Sequence, residues 1–192
     1  DPGGFVDASG LEECILAGRF AADEVVAVVG KTEGNGGVND FTRILADQGA
    51  EVIKLEDPRG GDHGRHVATR RGGVSASFVN VNRNKRSVAL DLKAPEGLEA
   101  ALRLCEGADV FVQNWRPGVA ERLGLGEAAV RARRANVVHA SIAGFGFEGP
   151  WAKRPVYDPL IQALSGLASV QGAGGRPRLV RTILPDKVTA IQ

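Results

Sequence analysis

The sequence predicts an α/β fold, a Rossmann-like and mostly parallel sheet covered by helices. Two observations carry that reading. Short β-rich runs alternate with helical patterns along the chain, and those runs are nearly continuous in apolar residues. Strands of this kind suit a sheet buried on both faces and joined by right-handed helical crossovers.

The first run is Val25–Val29 (VVAVV), and a helical pattern follows over Val38–Gln48. Glu51–Glu56 (EVIKLE) and Ser87–Leu92 (SVALDL) read as the next strands. Pro95 in the first turn and Gly107 just past the end frame a helix over Pro95–Glu106. Asp109–Gln113 and Val137–Ile142 read as strands, with helices over Gly118–Arg122 and Glu127–Arg134 between them. Pro159–Leu167 reads as a helix and Leu179–Leu184 (LVRTIL) as a last strand that stops at Pro185. Asp186 then stands where a helical pattern over Lys187–Gln192 begins. Proline suits the opening turn of a helix, and a neighbouring Asp accepts the free backbone N–H groups there. The same place keeps a carboxylate ionised at the positive end of a helix dipole, as a carboxylate nucleophile requires. Ligands of such sheets bind beyond the carboxyl ends of the strands.

Composition bounds the rest. The 192 residues are 43% hydrophobic, enough for one domain with a real core. A net charge of +1 gives no global field that would draw nucleic acid or an anionic membrane. No apolar run approaches the about 20 residues of a membrane span. The two cysteines, Cys14 and Cys105, lie far apart and read as reduced core residues of a cytoplasmic protein. The opening DPGGFVDASG is acidic where a signal peptide would be basic. With no initiating Met and an end inside a helical pattern, the chain reads as a piece of something longer or as an incomplete reading frame.

Three motifs fail on inspection. Gly30-Lys31-Thr32 imitates the end of a phosphate loop, but Val25 stands where its first glycine should be. Gly144-Phe145-Gly146-Phe147-Glu148-Gly149 fits a dinucleotide pattern, yet Pro150 and Pro155 leave no helix to receive a pyrophosphate. His63 and His66 beside Asp62 have metal-like spacing without any further cluster, so no metal is expected. The basic stretch Arg83-Asn84-Lys85-Arg86 reads either as a solvated strand edge or as a local anion site. Asn114-Trp115-Arg116-Pro117-Gly118 sits at the carboxyl end of a strand, where it forms either a plain turn or a nucleotide-receiving one. Asp158, after Tyr157, reads by itself as a helix cap, and so does Asp186.

From about Arg43 onward the chain resembles the amino-terminal part of the class III CoA-transferases, the formyl-CoA transferase and carnitine CoA-transferase group. The matching words are ILADQGAEVIKLEDP, NRNKRSVALDLKAPEG, ADVFVQNWRPGVAERLGLG, ASIAGFGFEGPWAKRPVYDPLIQALSGL and RLVRTILPDKVTAI. The resemblance implies that Asp186 is the nucleophile, and that Tyr157 and Asp158 line the thioester end of the site. It also implies that Leu90, Lys93, Asn114, Trp115 and Arg122 hold the adenosine phosphate portion of coenzyme A, which is a substrate here. It implies an acyl-CoA and a carboxylic acid as partners, and an interlocked homodimer when the full family chain is present. Related acyl-CoA racemases carry His where Tyr157 stands, and a tyrosine with an ordinary pKa near 10 is a poor proton shuttle.

Residues 1–43 are instead similar to an early segment of the cyanuric acid amidohydrolase and barbiturase family, through the word GKTEGNGGVNDFTR. In that family the counterpart of Lys31 partners a serine in a glycine-rich word absent here, and Gly37 stands where the family has cysteine. The chain thus reads as a fusion. Residues 1–43 supply a strand and a helix, and residues 44–192 form a truncated amino-terminal Rossmann-like domain of a CoA-transferase.

Overall fold

The computed structural model describes residues 26–29 and 36–191. Cys14, Val25, Lys31 and most of the amidohydrolase-like segment lie outside the described residues. Five strands form one parallel sheet: β1 (Val26–Val29), β2 (Glu51–Glu56), β5 (Lys85–Ala89), β6 (Val110–Gln113) and β7 (Val138–Ser141), in the order β5-β2-β1-β6-β7. Two short strands, β3 (Arg70–Arg71) and β4 (Val74–Ser75), make a separate antiparallel hairpin. The helices in chain order are α1 (Gly36–Asp47), α2 (Ala76–Asn82), α3 (Pro95–Glu106), α4 (Val119–Arg122), α5 (Glu127–Arg133), α6 (Asp158–Leu164), α7 (Leu167–Val170) and α8 (Leu184–Ile191).

The two faces of the sheet bury different chemistry. Ile53, Leu55, Val88 and Phe111 point toward α3 and α5 and pack with Ala101, Leu104, Cys105 and Val130. Burial pushes the Cys105 thiol up to about 12, so it behaves as an inert apolar side chain. On the other face, Val52 and Val112 pack with Val38 and Ala46 of α1. Side chains alternate along a strand, so Lys54 and Glu56 share the face of Val52. Both are nevertheless buried, at 1% and 3% exposure.

Their burial is balanced by a polar network from four separate segments. Lys54 Nζ donates to Asn39 Oδ1 and Asn82 Oδ1, each at 2.9 Å, and pairs with the Asp62 carboxylate. Asp62 also accepts from Asn39 Nδ2 at 3.1 Å and from the Gly64 backbone N–H at 2.6 Å. Glu56 accepts from both Arg65 nitrogens at 2.7 and 2.8 Å, from Ser87 Oγ at 2.6 Å and from the Asp62 N–H at 2.7 Å. Asp62 thus faces inward to Lys54, while His66 Nε2 lies 2.8 Å from the Gly60 carbonyl.

Several expectations need correction. Leu179–Leu184 is not a strand. Its backbone is satisfied by one side chain instead of a sheet neighbour: Gln162 Oε1 accepts from Val180 N–H at 2.8 Å, and Gln162 Nε2 donates to the Thr182 carbonyl at 3.0 Å. The strand expected over Ser87–Leu92 begins two residues earlier, at Lys85, because Lys85 and Arg86 pair in register with Val52 and Ile53. The Arg83–Arg86 stretch is no open anion site. Arg83 pairs with Asp47 at 2.6 Å, Arg86 pairs with Glu51, and Lys85 Nζ donates to the Asn39 carbonyl at 2.8 Å. The helix expected over Pro159–Leu167 ends at Leu164, and α7 follows after Gly166.

Candidate active-site cleft

The chain steps from β1 to β2 to β5 in one direction, then returns to β6 and β7 on the other side of β1. Crevices in open parallel sheets form beyond the carboxyl ends at such a reversal. A cleft of about 460 Å³ lies there, walled by the residues that leave β2, β5, β6 and β7. The segment immediately after β1, residues 30–35, lies outside the described residues.

The five residues expected to hold the adenosine phosphate portion are distributed as follows. Leu90 is buried and lines the cleft where the chain leaves β5, and Lys93 follows as an exposed cation on a turn closed by its own N–H to Asp91 Oδ1 at 3.1 Å. Asn114 lines the cleft at the end of β6, and its buried Oδ1 accepts no hydrogen bond among the described residues. A buried acceptor of this kind takes its hydrogen bond from water or from a bound molecule. Trp115 also lines the cleft, although it is only 8% exposed and packs in the apolar core. Its backbone N–H donates to Gln113 Oε1 at 2.7 Å, while Gln113 Nε2 donates to Ser141 Oγ at 2.8 Å, which fixes the turn that presents Asn114. Arg122 does not line the cleft. It is exposed on α4, with its guanidinium beside Gly118 at the end of that turn.

Residues not singled out from the sequence complete the wall. Arg59, Arg116 and Arg154 join Lys93 as cations, against the carboxylates of Glu56, Asp57 and Asp91. Arg59 pairs with Asp57 at 2.7 Å and Glu56 is taken by Arg65, so Lys93, Arg116 and Arg154 outweigh Asp91. Burial by itself would push the Glu56 carboxyl up, but Arg65, Ser87 and Lys54 together hold it below its usual range, so it stays ionised in the floor. The Gly144–Val156 loop closes on itself beside the cleft. A Cβ at Gly144 would lie 1.8 Å from Val156 Cγ1, so only glycine permits that approach. The GFGFEG word is therefore a closed loop that runs into Arg154 and Tyr157, not a dinucleotide turn.

Tyr157 stands at the open end, 69% exposed and lining the cleft. Asp158 follows as the first residue of α6, but its carboxylate caps nothing in that helix, contrary to expectation. It is 6% exposed, accepts from Gln162 Nε2 at 2.6 Å, and accepts from the backbone N–H of Asp186 at 3.2 Å. Asp186 is likewise not a cap. α8 begins at Leu184, which puts Asp186 inside the first turn and half-buried, still at the positive end of the helix. Tyr157 lines the cleft, Asp158 follows it in sequence without lining the cleft, and Asp186 is bonded to Asp158 through its backbone N–H. Asp186 is not itself part of the cleft wall.

The chain is similar to known proteins. The family model of CoA-transferase family III matches residues 38–192, and one described as an amidohydrolase ring-opening protein matches residues 4–60. An acyl-CoA transferase of Fusarium pseudograminearum is 41% identical over 145 residues, covering 71% of this chain and 32% of the relative. A succinate–glutarate CoA-transferase of Agrobacterium fabrum is 37% identical over 157 residues, covering 78% of this chain and 39% of the relative. The crystal structure of a CaiB/BaiF family protein from Brucella suis superposes with a TM-score of 0.80 at 31% identity, covering 88% of this chain and 46% of that one. The chain spans less than half the length of each of these relatives. Its parallel sheet with the β1 reversal, its cleft and a family match that runs from α1 to the carboxyl end together make it a member of CoA-transferase family III.

Proposed function

We propose that the chain carries the CoA-binding and nucleophile-bearing part of a CoA-transferase, which moves CoA between an acyl-CoA and a free carboxylate through a covalent intermediate on Asp186. In the first step an Asp186 carboxylate oxygen attacks the thioester carbonyl. The C–S bond breaks, giving an acyl–aspartyl anhydride and CoA thiolate. The thiolate then attacks the aspartyl carbonyl, which releases the donor acid and leaves an aspartyl–CoA thioester. The acceptor carboxylate repeats the two steps in reverse. Four easier acyl transfers replace one difficult exchange, and every electron pair stays within the reacting acyl groups and sulfur.

The observation that carries this reading is the tether from Asp158 to the Asp186 N–H, beside Tyr157 at the mouth of the cleft. It ties the first turn of α8 to the residue next to Tyr157, and the helix dipole favours the ionised form of a carboxylate there, which supports the nucleophile reading. The excess of Lys93, Arg116 and Arg154 over Asp91 supports phosphate binding, and Asn114 Oδ1 supports a hydrogen bond from the nucleotide. Arg122 is assigned to the phosphate through the Gly118 turn. Tyr157 in place of a histidine argues against racemisation at the same site.

The test is mass spectrometry of the protein after incubation with acyl-CoA and hydroxylamine, which converts an activated aspartyl group to a hydroxamate. Modification of Asp186, lost in Asp186→Ala while the fold persists, is the expected result. Transfer that survives in Asp186→Ala would reject the mechanism. CoA binding without any modification would assign the chain to the alternative, an inactive CoA-binding domain.

A further inference from the structure

We propose that the ion pair between Asp40 and Lys187 is a positioning device for Asp186; this rests on the nucleophile reading above. α8 has only eight residues, and Ala190 is its one buried residue. Val188 and Ile191 are 41% and 75% exposed, so apolar burial does little to hold the helix in one orientation. Its orientation depends on polar tethers.

Two such tethers between described residues do different jobs. The bond from the Asp186 N–H to Asp158 Oδ2, 3.2 Å long, pins the first turn in place. A bond from the backbone of residue 186 fixes the position of the turn more than the direction in which its side chains face. Lys187 Nζ supplies the second tether by pairing with Asp40 Oδ2 on α1, the helix against which α8 packs. Neighbouring residues on a helix are turned by about 100°, so a tether on residue 187 sets the direction in which residue 186 faces.

Asp40 is a stiff anchor for this purpose. It is 3% exposed, and Arg43 Nε lies 3.6 Å from its other oxygen, so the carboxylate is held between two cations. The preceding residue, Asn39, is locked into the buried network with Lys54 and Asp62, which fixes α1 at that level. Asp40 and Lys187 do not line the cleft, and the role proposed for them is to orient Asp186.

The experiment uses the full chain with acetyl-CoA as the probe. It compares wild type, Lys187→Met, Asp40→Asn, the double variant and Lys187→Arg. Two quantities are read: the rate of hydroxylamine-trapped acylation of Asp186 at saturating acetyl-CoA, and the Kd for CoA. Rates are taken well below each variant's unfolding transition, and the half-exposed Lys187 side chain makes Lys187→Met the safer variant for folding. Misplacement of a reacting group by about 1 Å costs up to about 100-fold in rate. The expected result is therefore a fall of about 10- to 100-fold in acylation in either single variant, with Kd within about twofold. Lys187→Arg should restore most of the rate, and the double variant should be no slower than the slower single. Wild-type acylation rates in folded Lys187→Met and Asp40→Asn would overturn the proposal, as would rate losses that simply add. A wild-type chain that forms no adduct at Asp186 would overturn the nucleophile reading itself and this proposal with it.

Discussion

Removing Asp62 isolates a buried cation, and the cost can be bounded from both sides. The Lys54 and Asp62 side chains are each 1% exposed. In Asp62→Ala the Lys54 ammonium loses its directly paired carboxylate and keeps the amide oxygens of Asn39 and Asn82, the Phe78 ring and the more distant Glu56 charge, while the Gly64 N–H and Asn39 Nδ2 lose their acceptor. Breaking a buried pair in this way typically costs about 3–5 kcal/mol. The protein has one escape, which is to bury Lys54 as a neutral amine. Burial already pushes Lys54 below its ordinary 10.5, and Asp62 is what pulls it back up. At pH 7 the escape costs about 1.4 kcal/mol for each pH unit up to 10.5, a ceiling of about 5 kcal/mol. The ceiling falls to about 2 kcal/mol at pH 9. Urea denaturation followed by circular dichroism at both pH values should thus give a loss of about 3–5 kcal/mol at pH 7 that shrinks toward pH 9. The corresponding drop in Tm at pH 7 is on the order of 10 °C for a chain of this length. Lys54→Met with Asp62→Leu should recover much of the loss, since it removes both charges. A loss under about 1 kcal/mol at pH 7, or one that stays constant with pH, would refute the reasoning.

Two further predictions concern the same sheet. Burial, with the Lys54 charge adding to it, pushes the Lys85 ammonium from 10.5 down to about 6. Over that window the unfolded chain binds the proton and the folded chain does not, so stability should climb from pH 6 toward pH 10 by at most about 1.4 kcal/mol per unit. Lys85→Met should flatten the climb, and an unchanged slope in that variant would exclude Lys85 as its source. At Gly97, in the first turn of α3, an added Cβ would lie 2.2 Å from the Asp91 carbonyl oxygen. Gly97→Ala should cost about 1–3 kcal/mol and also weaken CoA binding, because Asp91 and Lys93 line the cleft. Gly107→Ala, whose Cβ would meet nothing within 4 Å, is the control, and calorimetric titration of CoA on both variants checks the difference.

The sheet was legible because its strands are buried on both faces and therefore read as apolar runs, and Pro95 and Gly107 framed α3 in plain view. Composition misled at LVRTIL, which is as β-branched as a strand but meets no sheet edge; Gln162 answers its backbone instead. α2 was missed because ASFVNVN is poor in strong helix formers, although Ser75 caps it by accepting the Phe78 N–H at 3.2 Å. Local patterns also located the loops at the carboxyl ends of β5 and β6, since Pro and Gly punctuate them. They misread Asp158, because a helix-opening Asp usually caps its own helix, whereas this one reaches across 28 residues to Asp186. The Lys54 network escaped for the same reason. Its bonded partners lie up to 31 residues apart, and no periodicity in one segment reports a partner in another.

The segment Val38-Asn39-Asp40 shows what holds these parts together. Three consecutive residues of α1 are buried, at 0%, 4% and 3% exposure, although a helix packed on a single surface buries only one stripe. They face three different neighbours. Val38 meets Val52 and Val112 of the sheet, Asn39 enters the charge network under Lys54, and Asp40 pairs with Lys187 beside the proposed nucleophile. Enclosure by the sheet, α2 and α8 makes this possible, and it obliges the two polar side chains to match partners on separate elements. Residues 38–60, which hold this segment and β2, are also the stretch matched by both family models. Any segment preceding β2 in this fold can supply a strand and an apolar helix. In this chain that segment also supplies, at two adjacent positions, an amide to the Lys54 network and a carboxylate to Lys187.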